Sequence, residues 1–243
     1  MKICGLSDLH GNLIENIPEC DVLCLCGDIV GLNDQRNYSA SAAWWHNRFC
    51  NWAIRQKCKR IIVIPGNHDI YFEKILTEGR YIEIQQKLQT LTEGKVVLLI
   101  DELYSFEGIH FYGCPWIQPV TYQMGRWAFE IFDNEKYEKI PKCDVLLTHD
   151  SPIYNESLAN YGTGKSNYWL YGHWHDGKSD ISKGWYNCSR LDNMYNFKKN
   201  YDMTIIDINK RDDEDPIEED LIPWNESSVI TDFETEEKEE VIL

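Results

Sequence analysis

Short runs of apolar residues recur along the chain, and each run ends in polar residues of the kinds that bind metals or take part in catalysis. The five runs begin at Ile3, Val22, Ile61, Val145 and Tyr168. They are continuous rather than alternating, which is typical of strands in a sheet that is covered on both faces. The pattern therefore predicts an α/β fold whose buried strands alternate with helices.

Two longer segments, Ala42–Lys57 and Tyr81–Leu91, carry apolar residues at helical spacing and are predicted to cover the sheet. The pair Glu107-Gly108 separates two short apolar stretches and is typical of a two-residue hairpin turn. Further strands are therefore predicted at 103–106, 109–112, 185–188 and 203–208. The last of them would close the fold.

The formal charge of −16 is concentrated near the C-terminus, because residues 211–243 contain 14 acidic and 2 basic residues. We expect one catalytic domain over residues 1–210 and an acidic segment over residues 211–243 that docks on it through Trp224 and Phe233. This charge balance argues against nucleic acid as a partner, since proteins that follow a phosphate backbone carry a basic surface. The sequence leaves the oligomeric state open.

The composition also bears on the cellular compartment. No apolar run approaches the roughly 18 residues that a membrane span needs, and the first residues lack the basic and apolar regions of a signal peptide. The nine cysteines are odd in number and include no Cys-x-x-Cys pair, which favours reduced thiols over a disulfide framework. Cys24 and Cys26 alternate with leucines and are interpreted as small strand residues. A cytoplasmic protein without membrane association is expected.

The polar residues that follow the apolar runs could converge on one site, because ligands of open α/β sheets bind beyond the carboxyl ends of the strands. They offer carboxylate, imidazole and amide groups but no thiolate, a donor set that suits Mn²⁺, Fe or Zn²⁺. The candidates are Asp8, His10, Asp28, Asn67, His68, His149, His173 and His175. His46 and His110 lie inside a predicted helix and hairpin and are assigned no role.

In order along the chain, these residues form the blocks Asp-x-His, Gly-Asp, Gly-Asn-His-Asp, His and Gly-His-x-His. The set resembles the calcineurin-like metallophosphoesterase family, and all five blocks of that family are present. The resemblance spans Asp8 to His175. It implies a four-layer α-β-β-α sandwich of two mixed sheets, with a binuclear metal site at the carboxyl ends of the strands.

The resemblance also implies a role for each position. One metal ion would be bound by Asp8, His10 and His175, and the other by Asn67, His149 and His173, with Asp28 bridging the two. Mn²⁺ is the expected metal, with Fe, Zn²⁺ and Ni²⁺ as alternatives. A hydroxide held between two ions would then attack the phosphorus of a small phosphodiester or phosphomonoester. By the same resemblance His68 faces the substrate, and Asp69 is expected to orient the ring of His68 and raise its basicity.

Residues 113–116 and 127–129 are similar to a subgroup known as metallophosphoesterase-domain-containing proteins, whose tested members hydrolyse phosphodiesters, including cyclic nucleotides. Trp116 is therefore expected to contact the substrate, although a role in the core fits its position after a proline almost as well. Trp174 is expected to pack, and Arg190 to form a surface ion pair rather than hold a phosphate. Two other functions stay open: a catalytically silent binding scaffold with this fold, and a nuclease.

Overall fold

The computed structural model describes residues 1–120, 126–199 and 202–208. The acidic segment over residues 211–243, with Trp224 and Phe233, lies outside the described residues, as does its expected docking. None of the helices in the described ranges has the length and apolar character that a membrane span requires.

The described residues form ten strands arranged in two mixed sheets of five. The strands are β1 (Lys2–Leu6), β2 (Val22–Cys26), β3 (Arg60–Ile64), β4 (Val96–Leu98), β5 (Glu102–Phe106), β6 (Ile109–Cys114), β7 (Val145–Thr148), β8 (Tyr168–Tyr171), β9 (Trp185–Asn187) and β10 (Thr204–Asp207).

Each sheet has four parallel strands and one antiparallel edge strand. The first has the order β10-β1-β2-β3-β4, and only β10 is antiparallel to its neighbour. The second has the order β5-β6-β7-β8-β9, and only β5 is antiparallel. The strand predicted to close the fold is thus an edge strand beside β1. Glu107 and Gly108 join β5 to β6 with φ of 49° and 80°, as a two-residue hairpin turn requires.

The helices cover the outer faces of the two sheets. The α-helices are α1 (Tyr38–Ala43), α2 (Cys50–Arg55), α3 (Ile70–Thr77), α4 (Tyr81–Leu91), α5 (Glu135–Glu138) and α6 (Glu156–Gly162). A π-helical turn over Trp44–Phe49 joins α1 to α2, so the first predicted helix starts earlier and is wound more loosely than its apolar spacing indicates. The second predicted helix coincides with α4. The short elements β4, α3 and α6 were not predicted.

Alternate residues of the continuous strands enter two different cores, which explains why these strands are apolar throughout. Cys24 and Cys26 of β2 lie in the core between the two sheets. Leu23 and Leu25 point the other way and pack with helical side chains such as Trp45. Both cysteines are fully buried, in agreement with their interpretation as small strand residues. The layers confirm the predicted α-β-β-α sandwich.

Candidate metal centre

The two sheets bring their candidate ligands to a common edge, at the carboxyl ends of neighbouring parallel strands. From the first sheet, Asp8 and His10 follow β1, Asp28 follows β2, and Asn67 and His68 follow β3. From the second sheet, His149 follows β7, and His173 and His175 follow β8. Backbone hydrogen bonds tie these loops together: the amide of Asp8 donates to Gly27 O, and the amide of His10 donates to Asp28 O, both at 3.0 Å.

Asp8, His10 and His175 form a first group, in which one ligand atom from each residue lies within 4.8 Å of the others. Nε2 of His175 is 3.3 Å from Nε2 of His10 and 3.5 Å from Oδ1 of Asp8. The Nδ1–H of His175 donates to the carbonyl oxygen of Asp192 at 2.9 Å. That bond leaves the Nε2 lone pair of a neutral His175 directed at the other members of the group.

Asp28, His149 and His173 form a second group within the same 4.8 Å limit. Nδ1–H of His149 donates to the carbonyl oxygen of Cys26 at 2.8 Å, so its Nε2 faces inward, 3.0 Å from Oδ1 of Asn67. Both groups therefore contain a histidine whose outer nitrogen is fixed by a backbone carbonyl, an arrangement that is common among metal-binding histidines.

The carboxylate of Asp28 lies between the two groups. Its Oδ2 is 3.4 Å from Nε2 of His149 in the second group and 3.9 Å from Nε2 of His10 in the first. Its Oδ1 accepts the backbone amide of His68 at 2.7 Å. Asp28 is thus positioned to act as a metal ligand together with either group.

Four of these residues have a backbone that non-glycine residues seldom adopt. Their φ angles are 53° for Asp8, 43° for His10, 56° for Asp28 and 65° for His173. Aspartate and histidine tolerate the left-handed region better than most residues, yet each such position costs on the order of 1–3 kcal/mol. Strain of this kind is concentrated at sites where the position of a side chain matters more than stability.

Two glycines of the sequence blocks are required because the chain passes directly behind a ligand. A Cβ on Gly66 would lie 2.4 Å from Oδ1 of Asp28, and a Cβ on Gly172 would lie 2.5 Å from Oδ2 of Asp8. Neither glycine has a positive φ. Their role is therefore close approach, not conformational freedom.

Burial and neighbouring charges alter the titration of the cluster. Burial lowers the pKa of His10 to about 4, so this ring is neutral near pH 7. Burial acts in the same direction on His149, but the adjacent carboxylate of Asp28 outweighs it and raises the pKa of His149 to about 10. For Asp28, burial alone would raise the pKa, but His149 and His68 outweigh it and hold that pKa well below its usual range.

The donor set fits divalent metal ions. Within the described part of the chain, the Nδ1 atom of His10 is buried without a hydrogen-bond partner, and its Nε2 faces the nitrogen of His175. Two nitrogens that each lie about 2.1 Å from one ion would be about 3.0–3.4 Å apart in octahedral or tetrahedral geometry, which agrees with the observed 3.3 Å. Imidazole, carboxylate and amide donors without thiolate suit Mn²⁺, Fe, Zn²⁺ and Ni²⁺.

The expected role of Asp69 is wrong. Its carboxylate is fully buried and accepts backbone amides from Gly66 at 2.9 Å, Val30 at 3.0 Å and Ile29 at 3.3 Å. It therefore holds the loop after β2 against the loop after β3. The Nδ1 atom of His68 is instead hydrogen-bonded to Oε1 of Gln35. Adjacent side chains diverge from the backbone, so a neighbour in sequence is a poor candidate to orient a ring.

The expectation that Trp116 contacts the substrate is also wrong. Trp116 is buried in the core, and its indole N–H donates to the two oxygens of Asp101 at 2.7 and 2.9 Å. The aromatic residue beside the centre is Trp127, whose ring is stacked on that of His68 with 4.3 Å between centroids. Trp174 packs against Tyr154 at 4.6 Å, as expected. Arg190 is 9% exposed, so its side chain is buried and not on the surface.

Sequence reasoning missed the loop over residues 191–197, which borders the first group. Asp192 supplies the carbonyl that fixes His175. The ring of Tyr195, 44% exposed, stands nearly perpendicular to His10 and His175 with centroid distances of 5.0 and 5.5 Å. The turn residues of this loop indicate a bend, but nothing in them indicates which histidines the bend will meet.

Comparisons with known proteins bear on the family and the fold. The sequence model of the calcineurin-like phosphoesterase family matches residues 1–177. A UPF0046 protein of Caenorhabditis elegans is 29% identical over an alignment of 162 residues, which covers 61% of this chain and 53% of that protein. The chain thus aligns with about half the length of this curated relative.

Two solved structures are similar to the chain. The crystal structure of the Thermus thermophilus protein TT1561 covers 79% of this chain and 89% of its own, with a TM-score of 0.53 and 12% identity. A structure described as a novel archaeal phosphodiesterase covers 79% of this chain and 84% of its own, with a TM-score of 0.40 and 15% identity. At 12% identity, the likeness to TT1561 shows a similar fold and nothing about function.

Proposed function

Because the chain belongs to the calcineurin-like phosphoesterase family, we propose that it is a hydrolase that uses two divalent metal ions to cleave a small phosphodiester. The observation that carries this proposal is the pair of ligand groups that meet at Asp28. Its Oδ2 lies 3.4 Å from a nitrogen of one group and 3.9 Å from a nitrogen of the other. A carboxylate in this position can hold two ions at the short separation that phosphoester hydrolysis requires.

Each residue of the cluster has a proposed task. Asp8, His10 and His175 hold one ion; Asn67, His149 and His173 hold the other; and Asp28 holds both. Two bound divalent ions would lower the pKa of a water molecule to near neutral pH and would neutralise charge on the substrate phosphate. Mn²⁺ is the proposed metal, with Fe, Zn²⁺ and Ni²⁺ as alternatives.

His68 is proposed to contact the ester instead of a metal ion. Its Nε2 is 3.8 Å from Oδ2 of Asp28, and its side chain is 13% exposed. The ring therefore lies beside the cluster and is accessible to solvent. There it can hydrogen-bond to the leaving oxygen or to a phosphoryl oxygen. The two possibilities differ in how the rate depends on the leaving group.

A diester substrate is supported by the similarity of residues 113–116 and 127–129 to a phosphodiester-hydrolysing subgroup. The net charge of −16 supports a small substrate over a nucleic acid. The nine cysteines are free and buried, which supports a cytoplasmic, reducing environment.

The test is a substrate panel on protein loaded in turn with Mn²⁺, Ni²⁺, Zn²⁺ and Fe²⁺, with bound metal counted by mass spectrometry. Two ions per chain and turnover of bis(p-nitrophenyl) phosphate are expected. Turnover of p-nitrophenyl phosphate alone would make the protein a phosphomonoesterase. Metal binding without turnover of either ester would support the silent scaffold, and cleavage of single- or double-stranded DNA in preference to small esters would support the nuclease.

A further inference from the structure

The ring of His68 is held between two residues that come from distant parts of the chain. Gln35, in the loop after β2, contacts Nδ1 through its side-chain Oε1. Trp127, beyond β6, stacks on the face of the ring with 4.3 Å between centroids and an interplanar angle of 29°. One contact fixes an edge of the imidazole and the other fixes a face.

Both partners are themselves anchored. The backbone amide of Gln35 donates to the carbonyl of Gly31 at 3.1 Å. The loop that carries Trp127 is tied to the loop that carries His68, because the amide of Ala128 donates to the carbonyl of Asn67 at 3.1 Å. The guanidinium of Arg36 also lies over the Trp127 ring, 4.0 Å from its centroid. The indole is thus held by contacts with two side chains, those of His68 and Arg36.

We propose that Gln35 and Trp127 are positioning residues for His68, an inference that rests on the proposed function. The amide oxygen of Gln35 accepts a hydrogen bond from Nδ1–H and so fixes one edge of the ring, while the indole prevents rotation of the ring. Nε2 then remains directed at the cluster, 3.8 Å from Oδ2 of Asp28. A displacement of about 1 Å at such a group can lower a rate by about 100-fold.

The kinetic test compares Gln35→Leu, Gln35→Glu, Trp127→Ala and Trp127→Phe with the unaltered chain. Gln35→Leu keeps a side chain of similar bulk but removes the acceptor, so a fall in kcat of about 10-fold to 100-fold is expected, with two bound ions and an unchanged KM. Gln35→Glu retains an acceptor at the same reach, and Trp127→Phe retains an aromatic face, so both should recover most of the rate. Asn33→Leu, an exposed position of the same loop, is the matched control and should keep full activity.

A double-mutant cycle separates positioning from a general structural role. In a chain that already carries His68→Ala, the change Gln35→Leu should slow the reaction no further, because there is no ring left to orient. Losses that multiply in the double variant would overturn the inference. So would equal losses in Gln35→Leu and Asn33→Leu, since the effect would then belong to the loop.

A second measurement does not depend on turnover. Long-range proton–nitrogen spectra of the Zn²⁺-loaded full chain should show His68 with a proton on Nδ1, and Gln35→Leu should abolish the preference for a proton at that atom. An Nδ1 atom without a proton in the unaltered chain would overturn the inference even if the enzyme is active. If no ester is hydrolysed, the proposed function fails, and these spectra still decide whether Gln35 orients the ring.

Discussion

Gly66→Ala is the substitution for which the structure gives the sharpest expectation. The added Cβ would lie 2.4 Å from Oδ1 of Asp28, 2.5 Å from its backbone nitrogen and 2.7 Å from Cε1 of His149. Ordinary contacts begin near 3.4 Å, so one or both of these residues must move by about 1 Å. The backbone of Gly66 has no positive φ, and alanine therefore adds no conformational strain of its own.

This displacement should cost function more than stability. Forced insertion of a methyl group into a packed site typically costs about 1–3 kcal/mol. Movement of the shared carboxylate by about 1 Å should lower the rate by about 100-fold and weaken the binding of both ions. We expect a folded protein that binds metal weakly and turns over bis(p-nitrophenyl) phosphate slowly.

The assay measures urea unfolding, metal titration by calorimetry and turnover on the same preparations. Gly94→Ala is the matched control, because Gly94 has a φ of 76° with nothing within 4 Å of the added Cβ. That substitution should cost about 1–2 kcal/mol of stability through strain alone and leave metal binding and turnover unchanged. Full activity with two tightly bound ions in Gly66→Ala, or an equal loss of activity in both variants, would refute the reasoning.

Three further expectations concern residues with contrasting roles. Asp28→Ala should lose both ions, as counted by mass spectrometry, and nearly all turnover. Removal of the buried carboxylate of Asp144 should leave metal binding unchanged, and two tightly bound ions in Asp28→Ala would contradict the assignment of Asp28 as a shared ligand. Trp116→Phe removes the indole donor to Asp101 and should lower the free energy of unfolding in urea by about 1–3 kcal/mol without changing KM. A changed KM at unchanged stability would instead indicate that Trp116 contacts the substrate. Burial lowers the pKa of His46 from 6.5 to about 4, so the folded chain binds fewer protons than the unfolded chain between these pH values. The contribution of His46 to the free energy of unfolding is therefore complete above pH 6.5 and is lost as the pH falls towards 4. His46→Gln should reduce this acid sensitivity, and an unchanged dependence of the free energy of unfolding on pH between pH 7 and 4.5 would contradict the expectation.

The continuous apolar strands, the Glu107-Gly108 turn and the helix at Tyr81–Leu91 could all be predicted, because each has a local cause. A strand buried on both faces must be apolar throughout, and a tight hairpin turn needs residues that tolerate positive φ. The short strand β4 and the helix α3 were missed. They are stabilised by their place between neighbouring elements, and no period of apolar residues can be recognised over so few positions.

The candidate ligands could also be predicted, since parallel strands carry their carboxyl ends to one edge and residue type alone decides which side chains can bind metal. The structure brings the histidines and carboxylates of this set into three overlapping groups, one of which joins His68 to His10 and Asp28, and the division of the ligands between two ions stays a prediction. The close packing of Gly66 against Asp28 and His149 could not be predicted, because a close approach between two loops leaves no pattern in the sequence of either loop.

What the sequence determined by itself is the chemistry: the fold class, the donor set and the family to which the chain belongs. What only the tertiary structure decided is the support around that chemistry. Asp69 follows His68 directly but binds backbone amides of two loops, whereas Gln35 and Trp127 lie far away in sequence and hold the ring. The physical reason is that adjacent side chains diverge from a shared backbone, so the partners of a functional group are supplied by whichever segments the fold packs against it.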